Sequence, residues 1–209
     1  MALADTSINP RILDSARAEF LAKGYLNASL REICANAGVT TGALYTRYSG
    51  KEELFCALLR DALDDIDATV AAMDIDLAGS CLSDRELYDM WSMTEDSLGR
   101  WFLLLQTHRE AFTLLVRCSE GSSFQNYQHD LVEKVCKQTY RRYLVARDRG
   151  LVRDDITARE LHVMTTAFMG TVFEPFIHDF SDEEIRLHCR LTPQFLNWHR
   201  LLGFELPSA

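Results

Sequence analysis

The stretch SLREICANAGVTTGALYTRY, running from Ser29 to Tyr48, decides how the rest of the chain is read. Ser29 and Glu32 make the pattern S/T-x-x-E, in which a hydroxyl and a carboxylate satisfy free backbone N–H groups at a helix entrance. Leu30 to Ala37 then shows helical spacing, with Ile33 and Ala37 on its apolar side. Gly38 is a natural stop, because glycine takes the left-handed cap conformation at little cost. After the turn Gly38-Val39-Thr40, a second short helix covers about Thr41 to Tyr48. Two short rods joined in this way have helix-turn-helix spacing, which lays the second rod in a DNA major groove. About two turns of helix do not stand alone, so Leu44 and Tyr48 are expected to anchor it to its neighbours. A rotation of about 100° per residue sends Gly42, Tyr45 and Thr46 outward, with Thr41, Ala43 and Arg47 on the flanks. Each suits DNA: Gly42 permits close backbone approach, the threonine and tyrosine hydroxyls reach phosphates or bases, and Arg47 meets guanine or phosphate. Ser29 and Arg31 open the first rod, where the positive helix end favours a phosphate. Lys51 is expected to hold the DNA backbone on the other side, with Ser49 capping the helix that Lys51 opens. On these residues alone, a solvated three-helix face that contacts nothing stands beside the DNA reading.

Outward from this stretch the chain reads as helix throughout. It has 209 residues, 47% apolar and 25% charged, with only 10 Gly and 4 Pro, a composition short of the turns that a sandwich or barrel needs. The S/T-x-x-E pattern recurs at Ser49…Glu52, Ser83…Glu86, Thr157…Glu160 and Ser181…Glu184, and Asn9-Pro10 supplies a further helix start. A first helix is expected from about Pro10 to Lys23, stopping at Gly24, and a long rod from Lys51 to about Met73. Further helical patterns cover Asp84–Leu105, Arg109–Ser119, Asn126–Arg149, Ala158–Asp179 and Asp182–Leu202, with Thr192-Pro193 expected to interrupt the last. No apolar run approaches the ~20 residues of a membrane span, and the first residues do not read as a secretion signal, so a cytoplasmic protein is expected. The six cysteines are spread without a C-x-x-C pair, as reduced and mostly buried thiols would be.

Net charge is −9, yet the residues through Gly50 carry +1 and the remainder −10, so the two parts face different partners. In the acidic part, the helix over 158–179 is apolar around most of its circumference, and the last helix is rich in large apolar residues. The pair suggests a four-helix interface with a second subunit; a single fully buried helix in a monomer is the other reading.

The residues 38–48, followed by Lys51-Glu52-Glu53-Leu54-Phe55 and preceded by Ala16, Phe20, Gly24-Tyr25 and Ser29-Leu30-Arg31-Glu32-Ile33, resemble the DNA-binding segment of the tetracycline-repressor (TetR) family. The likeness covers about Arg11 to Leu59; beyond it, length, all-α character and two long terminal helices agree. The resemblance implies a dimeric transcription regulator, usually a repressor released by a small molecule; a two-fold dimer would read a palindromic operator, and without clustered Cys or His ligands no metal or cofactor is expected. It puts the DNA contacts on Ser29, Arg31, Thr40, Thr41, Gly42, Tyr45, Thr46, Arg47 and Lys51. Tyr48 stands where the family more often has Phe, and the first nine residues lack the Lys or Arg of a minor-groove arm.

The expected architecture is therefore all-α, with about nine helices. A three-helix helix-turn-helix domain over 1–50 precedes a ligand-binding and dimerisation domain over 51–209, connected by the helix 51–73. Phe168, Val172, Phe176, Phe195, Trp198 and Leu202 are expected at the dimer interface. Trp91, Phe102, Phe112 and Phe168 are expected as walls of an effector site and Arg117 as a polar fixture. Ligand would favour a state whose two reading heads have the wrong separation. An enzyme is disfavoured, since no G-x-S-x-G, Walker, G-x-G-x-x-G or H-E-x-x-H motif occurs. A helical dimer acting only through protein partners is the other rival, and it would show no salt-sensitive affinity for DNA.

Overall fold

Serine and threonine hydroxyls cap the starts of six helices. A computed structural model describes residues 8–72 and 82–205. Among them are eleven helices and no strand: α1 (Ile8–Asn27), α2 (Leu30–Ala37), α3 (Thr41–Tyr45), α4 (Lys51–Ala72), α5 (Asp84–Asp89), α6 (Glu95–Thr107), α7 (Arg109–Arg117), α8 (Tyr127–Asp148), α9 (Ala158–Ile177), α10 (Asp182–Phe195) and α11 (Trp198–Leu202). Full capping boxes form at Ser83–Glu86 and Ser181–Glu184. The Ser29 and Thr157 hydroxyls accept from the N–H groups of Glu32 and Glu160. At Ser49 the register differs by one: its N–H donates to Glu53 at 2.6 Å, while Glu52 is engaged by Ser123. Asn9 lies inside α1 and is not its cap. The expected end of the long rod at Met73, most of the break from Gly79 to Ser83, and Cys81 fall outside the described residues.

The third helix, expected to reach Tyr48, ends at Tyr45 with Thr46 as its cap, and three other expected boundaries move for local reasons. Gly24, at φ 73° and ψ 163°, kinks α1 without ending it, and one further turn runs to Asn27. The kink frees the Tyr25 N–H, which donates to the Cys118 carbonyl at 2.8 Å. The single helix expected over 84–105 is two, because Thr94 and Ser97 cap α6 reciprocally: each N–H donates to the other's hydroxyl, at 2.9 and 3.1 Å. Serine stands there in place of the glutamate that the capping pattern requires. Pro193 sits within α10, and the break follows at Leu196, where Asn197 accepts the Arg200 N–H and starts α11.

The chain divides into two compact units elsewhere than at residue 50. Residues up to Asp65 cluster with His108–Gln128, and Ile66–Thr107 clusters with the chain from His129 onward. In the first unit α1 packs on α2 and α7, and Phe112, Leu114 and Leu115 of α7 are as buried as Ile12, Phe20, Ile33 and Leu44. Phe20 stacks on Tyr25 at 5.9 Å, and Phe55 meets both edge-on at 5.0 and 5.1 Å. The reading head is thus completed by a helix more than fifty residues downstream. In the second unit α6 packs on α10, and Leu87, Trp91, Tyr143, Leu161, Trp198 and Leu202 form a contiguous core.

Candidate nucleic-acid interface

Leu44 is fully buried and Tyr48 is 9% exposed, so the two expected anchors do fasten α3 to the first unit. Thr40, in extended conformation, accepts the Ala43 N–H at 3.1 Å and caps the helix. Gly38 turns the chain between the rods at φ 64°. Its N–H returns to Ala35, that of Val39 returns to Cys34, and the Arg11 guanidinium donates to the carbonyls of Ala37 and Gly38. No local pattern marks Arg11 for this role, because its contact is long-range and leaves no periodic trace in the sequence.

The outward edge of α3 consists of exposed Thr40, Thr41, Gly42, Tyr45 and Thr46. Tyr45 projects furthest among its aromatic neighbours, at 55% exposure. Two expected contacts fold back on their own helix: the Thr46 hydroxyl donates to the Gly42 carbonyl at 2.8 Å, and Arg47 donates to the Ala43 carbonyl at 3.0 Å. Arg31 lies exposed on the first turn of α2. Beside it, Ser29 is held on both sides of its backbone. Its hydroxyl caps α2 and its N–H donates at 3.1 Å to Glu19, a carboxylate only 6% exposed. Burial alone would push the Glu19 carboxyl up. The hydrogen bonds from Lys23 and from the Ser29 N–H outweigh burial and hold it below its ordinary value. Lys23 also reaches Glu32, which explains why Glu32 does not close the capping box on Ser29.

Lys51 departs most from expectation. Its ammonium donates at 3.1 Å to the carbonyls of Leu26 and of Ala28, and it lies 4.7 Å above the Tyr25 ring. It closes the end of α1 with two of its three N–H groups. One residue on, Glu52 accepts from the Ser123 N–H and hydroxyl. Burial raises the Glu52 carboxyl, and Ser123 with the Tyr25 hydroxyl more than reverses it, so the net shift is downward. Tyr25, buried beside that carboxylate, is pushed up to about 12.

Of the five effector residues expected from sequence, only Trp91 and Phe168 come together. Phe112 is core of the first unit, where Arg117 is exposed on the last turn of α7. In the second unit Phe102 stacks on Phe176 at 6.0 Å. Trp91 and Phe168 both pack in the cluster around Trp198. The dimer expectation needs a larger correction. Val172, Phe176, Trp198 and Leu202 are buried in the chain's own core, and Phe168 is half-buried against Trp198, so none of these faces outward. Only Phe195, 80% exposed, does so, together with Leu187, Leu191 and Val163. Helical periodicity had marked large apolar side chains without saying which side of a doubly apolar helix the protein itself would cover.

Residues 12–58 match the sequence model of the bacterial regulatory proteins of the tetR family. The HTH-type transcriptional repressor AcnR of Corynebacterium efficiens is 28% identical over 182 residues, 85% of each chain. The HTH-type transcriptional regulator UidR of Escherichia coli K12 is 25% identical over 174 residues, 83% of this chain and 84% of its own. A bacterial regulatory protein from Rhodococcus RHA1 has a solved structure with the same fold, at TM-score 0.60 and 18% identity, covering 96% of this chain and all of that one.

Proposed function

We propose that this chain, whose residues 12–58 match the tetR family of bacterial regulatory proteins, is a transcriptional repressor which grips a palindromic operator as a homodimer and leaves it when a small molecule binds. The observation that carries the reading is the edge of α3: Thr41, Gly42 and Tyr45 face solvent on a helix whose opposite side is anchored by buried Leu44. Arg31 adds a charged donor on α2, and the last free N–H of Lys51 adds another. Thr46 and Arg47 must leave their carbonyl partners to reach DNA, which is cheap at a surface where water can replace them. The relatives bearing on this function are named as transcriptional regulators, one of them a repressor. No helix among the described residues is long and apolar enough to cross a membrane, which suits a protein that meets its operator in the cytoplasm.

The homodimer rests on a different observation. Leu187, Leu191 and Phe195 recur every four residues along α10 and are 45%, 53% and 80% exposed, with Val163 of α9 at 56%. A soluble chain seldom leaves such a row open to water. A two-fold pair through α9 and α10 would cover it and set two reading heads about one DNA turn, roughly 34–36 Å, apart. An effector that prefers a state with another separation lowers DNA affinity by its differential binding energy.

The test is selection of bound sequences from random duplexes with purified protein, repeated with Tyr45→Ala. An enriched inverted repeat that the variant fails to enrich is expected. Absence of enrichment at low salt refutes the reading.

A further inference from the structure

The second unit holds a buried donor with nothing to donate to. The Trp91 side chain is 6% exposed, and its Nε1–H meets no acceptor among the described residues. Proteins rarely leave a buried N–H unpaired, because the water it gave up is not replaced. The surroundings are aromatic and soft. The Trp198 ring lies 5.8 Å away at 52°, Phe168 meets Trp198 edge-on, and half-buried Met90, Met93, Met164 and Tyr140 pack against the same cluster. Unbranched thioethers change shape easily and line adaptable binding surfaces.

We propose that this cluster is the effector site and that it takes a neutral aromatic molecule carrying one hydrogen-bond acceptor, such as a carbonyl oxygen, which pairs with Trp91 Nε1–H. The proposal rests on the reading of the chain as an effector-released repressor and gives that effector a chemical class. Flat rings stack on Trp198 and Phe168, and the methionines give way to admit them. The aromatic and thioether side chains around Trp91 offer no counter-charge, so a carboxylate or ammonium buried among them would lose its hydration uncompensated and is disfavoured against a neutral ligand. A pure hydrocarbon fits the walls but leaves the indole N–H as it stands.

Benzophenone and diphenylmethane differ only in the carbonyl, and calorimetric titration of the full chain with each separates these cases. The ketone should bind about tenfold more tightly, the worth of one neutral hydrogen bond. Trp91→Phe, which keeps an aromatic ring and removes the donor, should bind the two alike, and Trp101→Phe, on α6 and outside the cluster, should retain the preference. Equal affinities in the unaltered protein, binding of neither compound, or a preference that survives Trp91→Phe each overturn the proposal. The comparison within the unaltered protein stands even where a variant fails to fold. A gel shift on selected DNA keeps the two readings apart. DNA binding without ketone binding sinks the Trp91 site alone. Ketone discrimination without DNA binding upholds the site and removes the repressor reading.

Discussion

Tyr45 and Lys51 were expected to do the same thing, and the structure gives them different work. Tyr45 is 55% exposed on α3, so Tyr45→Ala should change stability only within the small range of surface substitutions, about ±0.5 kcal/mol. Operator affinity should fall several-fold, and a gel shift beside a melt reads both. Lys51 holds two carbonyls at the end of α1 and covers Tyr25. Lys51→Ala should therefore lower stability as well as DNA affinity, whereas Arg31→Ala should lower affinity alone and reduce the salt dependence by about one counterion. A melt of Lys51→Ala that matches the unaltered protein would show that its carbonyl contacts contribute nothing. Glu52 bears on pH. Its folded carboxyl is held below the ordinary value by Ser123 and Tyr25, so its stabilisation is fully present above the unfolded pKa of about 4.3 and is lost as pH falls through the lower folded value. Glu52→Gln should thus show a smaller loss of melting temperature than the unaltered chain on going from about pH 6 to about pH 3, where protonation of the native carboxylate removes its advantage.

Gly38, the hinge between α2 and α3, shows what an element needs beyond its own pattern. A Cβ there would come 2.6 Å from the Arg11 guanidinium, and the backbone is left-handed at φ 64°. Left-handed conformation costs an ordinary L-residue roughly 1–2 kcal/mol, and Gly38→Ala should also loosen the Arg11 clamp on the two carbonyls. Arg11→Ala and Gly38→Ala combined should destabilise by less than their sum, since the second change removes a contact the first has already weakened. Thermal melts of the two singles and the double check this. The same hinge marks how far the sequence could be read. The helix-turn-helix spacing, its stop at Gly38 and the anchors Leu44 and Tyr48 are local facts, visible because a few adjacent residues fix them. So are the boxes at Ser83 and Ser181. Arg11, Glu19 and the packing of α7 into the first unit join residues far apart in sequence, and no period in the chain records them. Where the pattern misled, a substitute did the same job, as Thr94 and Ser97 cap α6 without a glutamate. Trp91 and Phe168 share a cluster while Phe112 and Arg117 lie in the first unit, because aromatic type names a wall without saying of which room.

For the molecule as a whole, the apolar helices α9 and α10 have two sides to account for, and the burial pattern divides them. Trp198 and Leu202 of α11, with Val172 and Phe176 of α9, are buried in the chain itself. Trp198→Ala should therefore destabilise the fold by about 3–5 kcal/mol, as large-to-small changes in a core do. Phe195 and Leu191 touch little within the chain, so a charge there should cost a lone subunit almost nothing. In a two-fold pair each substitution appears twice, facing its own copy or a close neighbour, and a carboxylate buried in that seam has no counter-charge. Leu191→Glu and Phe195→Glu should thus give a folded monomer with near-native helical content, which light scattering after gel filtration would register as a halved mass. The monomer can meet only one half-site and should lose most of its affinity for the full inverted repeat while keeping a weak, salt-sensitive attraction to duplex DNA. A dimer undisturbed by both charges would place the subunit contact on another face, and the row along α10 would then need a different partner.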